Sequence, residues 1–223
     1  MKPSVESAIR SISAAARDLF GLELSDSALA AMGRFGAELL RWNEKVNLTS
    51  ISDPEEVAEL HVLDSLAVAP FVPGGSAVLD IGTGGGFPGV PLAIARPDLD
   101  LVLVDRTEKK VLFLKTTLAR LRIENARPRH VRVEGDPSKE GLATVDVAVS
   151  RAFAAPEPWL ERARAYVRPG GRILAMLGSE QPDADELEAL RRPGDAAIAL
   201  HRYQLPSGAR RAIVVVERGP KAS

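Results

Sequence analysis

The sequence predicts an α/β protein: a mostly parallel seven-stranded sheet with helices on both faces, preceded by an N-terminal helical cap. Three observations carry this expectation. Over Ser4–Phe20 and Ser25–Trp42 apolar side chains recur at three- and four-residue steps, the period of amphipathic helices. After the turn Pro73-Gly74-Gly75, short β runs alternate with helical stretches, and such alternation implies right-handed βαβ crossovers and a parallel sheet. Two last β runs are joined by Leu205-Pro206-Ser207-Gly208, a turn cluster that fits a closing antiparallel hairpin.

Taken in order, helices are predicted over Ser4–Phe20 and Ser25–Trp42, the second carrying Ala28, Leu29, Met32, Phe35, Leu39 and Leu40 on its apolar stripe. Ser25 and Asp26 supply its capping chemistry. A third helix starts after Asp53-Pro54, with Glu55 and Glu56 in its first turn, and reaches about Val68. Residues 1–72 thus form the cap, and residues 73–223 the core of one compact unit, as a 223-residue chain allows. Strands are predicted at Ala77–Ile81, Leu101–Val104, His130–Val133, Val145–Val149 and Arg172–Leu177. Helices at Gly89–Arg96, Glu108–Leu121 and Pro158–Val167 lie between them, and Ala197–Tyr203 and Ala212–Glu217 make the hairpin.

Composition excludes more than it selects. With 45% apolar and 26% charged residues, the chain fits neither a disordered nor a membrane class. Met1 to Ser7 hold no apolar signal core, and no run approaches the ~18 apolar residues of a membrane helix. A cytoplasmic monomer without membrane association is expected. The absence of cysteine removes disulfides, thiolate zinc sites and cysteine nucleophiles. His61, His130 and His201 form no ligand pair, so no metal site is expected. A net charge of -1 does not advertise a nucleic-acid binder. Local basic clusters can still serve a polyanion: Arg41 with Lys45, Arg106 with Lys109 and Lys110, Arg120 to Arg132, Arg162 to Arg172, and Arg210 with Arg211.

Chemistry is expected at Val78-Leu79-Asp80-Ile81-Gly82-Thr83-Gly84-Gly85-Gly86-Phe87-Pro88-Gly89, where an apolar strand runs into glycines and then a helix. Glycines permit positive φ and remove Cβ atoms, so a ligand can approach the main chain closely. Gly84-x-Gly86-x-x-Gly89 also satisfies the dinucleotide fingerprint, so the loop alone leaves NAD, FAD and S-adenosylmethionine open. Asp105, roughly 20 residues later at the end of the second strand, can accept hydrogen bonds from both ribose hydroxyls of any of them.

Two later features favour the methyl donor. The run Arg168-Pro169-Gly170-Gly171-Arg172-Ile173-Leu174 looks like the turn ahead of the fifth strand in class I methyltransferases, and the terminal hairpin looks like their antiparallel addition. Asp80 matches the acid of their first motif, where it either fixes the loop or faces the cofactor's ammonium group.

Further segments narrow the likeness: Arg41-Trp42-Asn43, Val46-Asn47-Leu48-Thr49-Ser50, His61-Val62-Leu63-Asp64-Ser65, Asp80 through Pro91, Val131-Arg132-Val133-Glu134, and Ser150-Arg151-Ala152-Phe153-Ala154. On these, nearly the whole chain resembles the bacterial 16S ribosomal RNA guanine-N7 methyltransferase family, also called the glucose-inhibited division protein B family. The Trp-Asn…Asn-Leu-Thr and His-x-x-Asp-Ser elements belong to this family and not to methyltransferases in general. The resemblance implies a Rossmann-like class I S-adenosylmethionine-dependent methyltransferase acting on 16S ribosomal RNA or the small ribosomal subunit. It also implies cofactor contacts from Gly82 and Phe87 in the loop, from Val133 and Glu134 after the third strand, and from Arg151 after the fourth. Gly84 belongs to the same loop, and Asp105 joins on the ribose argument.

Arg151 follows the apolar run Val147-Ala148-Val149 and so lies at the carboxyl edge of the sheet, where open α/β folds place ligands. Cofactor and RNA phosphate are both open as its partner. His61 and Asp64, three apart, share a helix face and either line the substrate site or form a structural polar pair. One departure stands out: family members often carry lysine before the glycine after the fifth strand, where this chain has Leu177 before Gly178.

Guanine N7 offers a lone pair at neutral pH, so no catalytic acid or base is assigned, and alignment of the reactants carries the rate. Because the product ring is cationic, Asp64 or Glu134 belongs near the base and the arginine clusters at the phosphates. The competing readings are a methyltransferase for a small molecule or protein, an NAD-dependent oxidoreductase, and a catalytically silent RNA-binding or assembly factor.

Overall fold

In the computed structural model, which describes residues 3–151 and 156–220, β1 (Ala77–Ile81) lies inside the sheet between β2 (Asp100–Asp105) and β4 (Val145–Arg151), parallel to both. β3 (Ala126–His130) extends the sheet beyond β2, and β5 (Val167–Leu177) extends it beyond β4. β7 (Arg210–Arg218) runs antiparallel to β5 on one side and to β6 (Asp195–Gln204) on the other, giving the order β3-β2-β1-β4-β5-β7-β6. The strand order reverses between β1 and β4, and ligands of open α/β sheets bind in the crevice at that point, beyond the carboxyl ends.

Successive strand residues face opposite sides, and the two sides bury different layers. Val78, Leu101, Leu103, Val147, Val149, Leu174 and Val215 pack with the N-terminal helices. Those helices are α1 (Val5–Ser11), α2 (Ser13–Phe20) and α3 (Asp26–Asn43). The same face carries α6 (Gly89–Ala95) and α7 (Glu108–Leu121). Leu79, Val104, Ala148, Ile173, Ala175 and Val214 face the other way, onto α8 (Pro156–Ala163) and Tyr166. The cap therefore shares a continuous apolar core with the sheet, so the elements that carry His61 and Asp64 are held firmly against the crevice.

The helix starts follow their caps. Ser25 accepts from the Ala28 N–H at 3.2 Å. Asp53 accepts from the Glu55 N–H at 3.0 Å, ahead of Pro54 at the first position of α4 (Pro54–Glu56).

Several boundaries differ from the sequence reading. The first predicted helix is two, because the Ile12 N–H turns to Ile9 O at 3.3 Å and the ladder tightens there. The third runs through a π-helical stretch, Val57–Leu63, before α5 (Asp64–Leu66), and periodicity does not register such a widening. β3 lies at 126–130, not at His130–Val133, because it is an edge strand with Pro128 and mostly exposed polar residues, so its ladder leaves no apolar alternation to read. α9 (Ala184–Ala189) was not predicted: it buries no side chain, and its signal is the Asp183–Glu186 capping box. Arg151 closes β4 instead of following it, and Ala152, Phe153 and Ala154 of its motif lie outside the described residues. Among the described residues no helix is long and apolar enough to cross a membrane.

Candidate active site

At the carboxyl end of β1 the chain enters left-handed backbone at Gly82 (φ 75°), Gly84 (57°) and Gly86 (96°), which only glycine adopts without strain. Asp80 ties this turn to the strand. Its Oδ2 accepts from Thr83 Oγ1 at 2.6 Å and from the Gly89 N–H at 2.9 Å. A Cβ on Gly89 would stand 2.6 Å from that oxygen and closer still to Leu103 Cδ2, so α6 starts here without strain only with glycine. Asp80 Oδ1 is buried without a hydrogen-bond partner among the described residues. Burial pushes the carboxyl up to about 6, against the hydrogen bonds from Thr83 and Gly89.

Beside the turn lies a cavity of about 410 Å³ whose lining includes Gly82, Asp105, Lys110, Val131, Val133 and Arg162. Asp105 is aimed by two backbone donors, the Gly84 N–H at 2.9 Å and the Thr107 N–H at 2.8 Å. A carboxylate offers about four acceptor sites, so it keeps capacity for a ligand. Val131 and Val133 supply an apolar wall. Glu134 is off this lining: exposed, it pairs with Arg132 at 3.0 Å, and its N–H donates to Glu140 Oε1.

A second cavity, about 400 Å³, is lined by His61, Asp64, Arg151, Leu177, Gly178 and Arg211 among others. Arg151 organises it. Its Nη1 donates to Leu60 O at 2.8 Å and lies 3.6 Å from Asp64 Oδ2, while Nη2 donates to His61 Nδ1 at 3.0 Å. The guanidinium sits 4.9 Å from the centre of the buried Phe87 ring, which stacks on His61 at 4.6 Å. A guanidinium can only donate, so His61 Nδ1 is the acceptor and its Nε2–H donates to Thr49 Oγ1 at 2.7 Å. Burial, then the charge of Arg151, lowers His61 to about 4, so it is neutral at pH 7. Asp64 accepts from Tyr203 Oη at 2.7 Å and lies 3.6 Å from Arg211 Nε. Burial raises its pKa, with Arg151, Tyr203 and Arg211 opposing.

The structure thus brings His61, Asp64, Arg151 and Phe87 into one cluster, and Gly82, Asp105 and Val133 around a neighbouring cavity. Sequence reasoning gave no role to Asn43, Thr49 or Tyr203, and counted Arg211 only as a surface cation. Asn43 accepts from the N–H groups of Leu48 and Thr49 and donates to Thr49 O, so the Trp-Asn…Asn-Leu-Thr element is the brace that delivers Thr49 to His61. Nothing in the sequence marks Tyr203, which arrives on β6 from 139 residues beyond Asp64. Within the Arg162–Arg172 cluster only Arg164 is turned inward, paired to buried Asp195 at 2.6 Å, while Arg172 pairs with Glu217 at 3.0 Å nearer the surface.

A parallel sheet with β7 reversed, a glycine turn after β1 and an acid closing β2 define a class I methyltransferase. A family profile described as rRNA small subunit methyltransferase G matches residues 28–204. The ribosomal RNA small subunit methyltransferase G of Myxococcus xanthus is 48% identical over 183 residues, covering 82% of this chain and 84% of that one. Its counterpart from Anaeromyxobacter dehalogenans is 41% identical over 210 residues, covering 94% and 97%. The chain belongs to this family. In fold it is similar to a SAM dependent methyltransferase from Aquifex aeolicus, with a TM-score of 0.55 at 18% identity over 76% of this chain and 96% of that one.

Proposed function

We propose that this protein transfers the methyl group of S-adenosylmethionine to N7 of a guanine in 16S ribosomal RNA. The observation that carries the proposal is the adjacency of two unlike cavities at the strand-order reversal, one lined for an adenosine and one built on the His61–Arg151–Asp64 cluster. The residues present fit the cofactor. Gly82 and Gly84 leave the main chain open, Asp105 offers acceptors to a ribose, and Val133 gives an apolar wall for a base. Asp80 Oδ1 is a buried acceptor of the kind an ammonium group satisfies. When bound, S-adenosylmethionine supplies a methyl group activated by its sulfonium.

The protein's own residues have a positioning task, because the guanine lone pair needs no base to create it. Neutral His61, held between Thr49 and Arg151, presents a fixed ring face that adds no cation beside a guanine becoming positive. Asp64 sets a carboxylate against the charges of Arg151 and Arg211, so the cluster adds less positive charge beside that ring. Arg151 and Phe87 hold these groups rather than reach outward: the guanidinium donates to Leu60 and His61. Glu134 stands at the rim, beyond the cavity lining. The segment 1–72 acts as the cap on the acceptor side, contributing Thr49, His61 and Asp64. The protein works in the cytoplasm as a monomer, without membrane association, on the RNA of the small subunit.

The test is incubation with methyl-labelled S-adenosylmethionine and small subunits lacking endogenous methylation, followed by nucleoside analysis. Labelled 7-methylguanosine at one position, lost in Arg151→Ala, is the expected result. Cofactor binding without label in the RNA would move the assignment to a small-molecule or protein acceptor.

A further inference from the structure

Four cations line the cavity beside Gly82 and Asp105: Arg106, Lys110, Arg132 and Arg162. Arg106, Arg132 and Arg162 are exposed and Lys110 is half-buried. Arg132 is partnered by Glu134, whereas the side chains of Arg106, Lys110 and Arg162 make no ion pair among the described residues. They come from three separate elements, the β2 exit, α7 and α8, so the concentration is a product of the fold. It is also local, because the chain as a whole has a net charge of -1.

The cofactor does not account for them. Adenosine is neutral, and S-adenosylmethionine as a whole carries one net positive charge, from an ammonium, a sulfonium and a carboxylate. Cations at the mouth of its cavity repel it. A polyanion is the ligand they favour, and each phosphate they neutralise adds counterion release to the affinity.

Resting on the activity proposed above, we infer that the phosphate backbone of the RNA substrate crosses the mouth of this cavity on Arg106, Lys110 and Arg162. Bound RNA then covers the cofactor. The two ligands bind in a fixed order, cofactor before RNA, and methylated RNA leaves before S-adenosylhomocysteine can. The positive rim is a lid seat whose lid is the substrate itself.

The experiment follows the escape of tritiated S-adenosylhomocysteine, which binds without turnover. The full-length protein is preloaded with it, mixed with excess unlabelled compound, and sampled with and without saturating unmethylated small subunits, whose binding is confirmed by co-sedimentation. Bound subunits are expected to slow release about tenfold or more, equivalent to about 1.4 kcal/mol on the release barrier. In the triple variant Arg106→Ala, Lys110→Ala, Arg162→Ala, the ratio of release with and without subunits should return towards one. The salt slope of RNA binding should also fall by about two to three, since each phosphate contact contributes roughly 0.7–0.9.

Release that is equally fast with co-sedimenting subunits overturns the path and the order, while the assigned activity stands if 7-methylguanosine is still formed. A triple variant that keeps both the protection and the salt slope likewise overturns the assignment to these three side chains. If the unaltered protein neither binds subunits nor labels their RNA, both readings fall together. Because each variant is its own control for cofactor release, a change in intrinsic cofactor affinity does not obscure the ratio.

Discussion

The two cavities at the carboxyl edge of the sheet are built by different means. The one beside Gly82 is made by chain neighbours: a turn, the strand end that follows it, and backbone N–H groups that aim Asp105. The one around Arg151 is made by side chains from four distant places, Thr49, His61 with Asp64, Arg151, and Tyr203 with Arg211. Backbone geometry tolerates wide change in side chains, whereas a buried polar cluster holds only while each partner is present. The first design suits a cofactor common to a whole fold, and the second suits an acceptor particular to one family.

The largest expected effect comes from removing the keystone of the second cavity. Arg151→Ala takes from the buried Asp64 carboxyl one of its two arginine neighbours, leaving Arg211 at 3.6 Å and the Tyr203 hydroxyl, and frees Leu60 O and His61 Nδ1. Breaking a buried pair in this way costs about 3–5 kcal/mol, and the 3.6 Å separation from Asp64 puts this case at the lower end. Denaturant unfolding should show that loss. Because the charge of Arg151 helps depress His61, the imidazole should also titrate closer to 6.5 in NMR. If stability falls but His61 titrates unchanged, the arginine is only packing.

Nearly as large, and hidden in the unaltered protein, is a pair of opposed titrations. His61 takes a proton at about 4 when folded and at 6.5 when free. Between these values the unfolded chain binds more protons, so this contribution is complete above 6.5 and is lost as pH falls through about 4, up to about 3 kcal/mol. Asp80 takes a proton at about 6 when folded and at 3.8 when free. There the folded chain binds more protons, so stability falls as pH rises through the same window, by about 3 kcal/mol in all. Asp64, also raised by burial, adds to that side. The His61 and Asp80 contributions should therefore largely offset each other between about pH 4 and 6. His61→Gln should lose stability as pH rises, and Asp80→Asn should lose it as pH falls. Identical slopes in all three proteins would show that the two groups are not desolvated as described.

The same contrast explains what the sequence disclosed. Gly82, Gly84 and Asp105 stand in one contiguous pattern whose physical reasons, positive φ and a strand-end acceptor, can be read without a fold. The central strands and α7 were equally plain, because buried β-branched runs and a three-to-four repeat are local signals. β3 was misplaced because an exposed edge strand has no apolar face to advertise. His61 and Asp64 were visible as a pair, but their meeting point was not: it depends on Arg151, 90 residues from His61, and on a π-helical stretch. Tyr203 could not be found at all, since one tyrosine in a terminal strand reads as ordinary packing.

A smaller effect is expected from damaging the first cavity alone. In Gly89→Ala the new methyl would meet Asp80 and Leu103 inside van der Waals contact, and overpacking of that kind costs about 1–3 kcal/mol. Since the shift falls on the Asp80 tether, calorimetric affinity for S-adenosylhomocysteine should drop while the His61 titration stays in place. A normal affinity would show that the tether does not shape the cofactor turn.

The reverse operation, on the second cavity alone, is the gentlest. Tyr203→Phe removes a single hydroxyl that donates to Asp64 Oδ1 at 2.7 Å and leaves the ring, which packs edge-on against Phe20, in place. A hydrogen bond to a charged group contributes about 1.5–3 kcal/mol, and Arg211 and Arg151 remain near the carboxylate to limit the loss to the lower figure. Without the hydroxyl, Asp64 should titrate higher still, because Tyr203 opposes its upward shift. Cofactor affinity should not change, as Tyr203 lies on the β6 side of the sheet, away from Gly82 and Asp105. The acid limb of the pH profile for methyl transfer to RNA should move to higher pH with that shift. A pH profile that moves in parallel with that of the unaltered protein would mean that the charge on Asp64 is not used, and that the second cavity acts by shape alone.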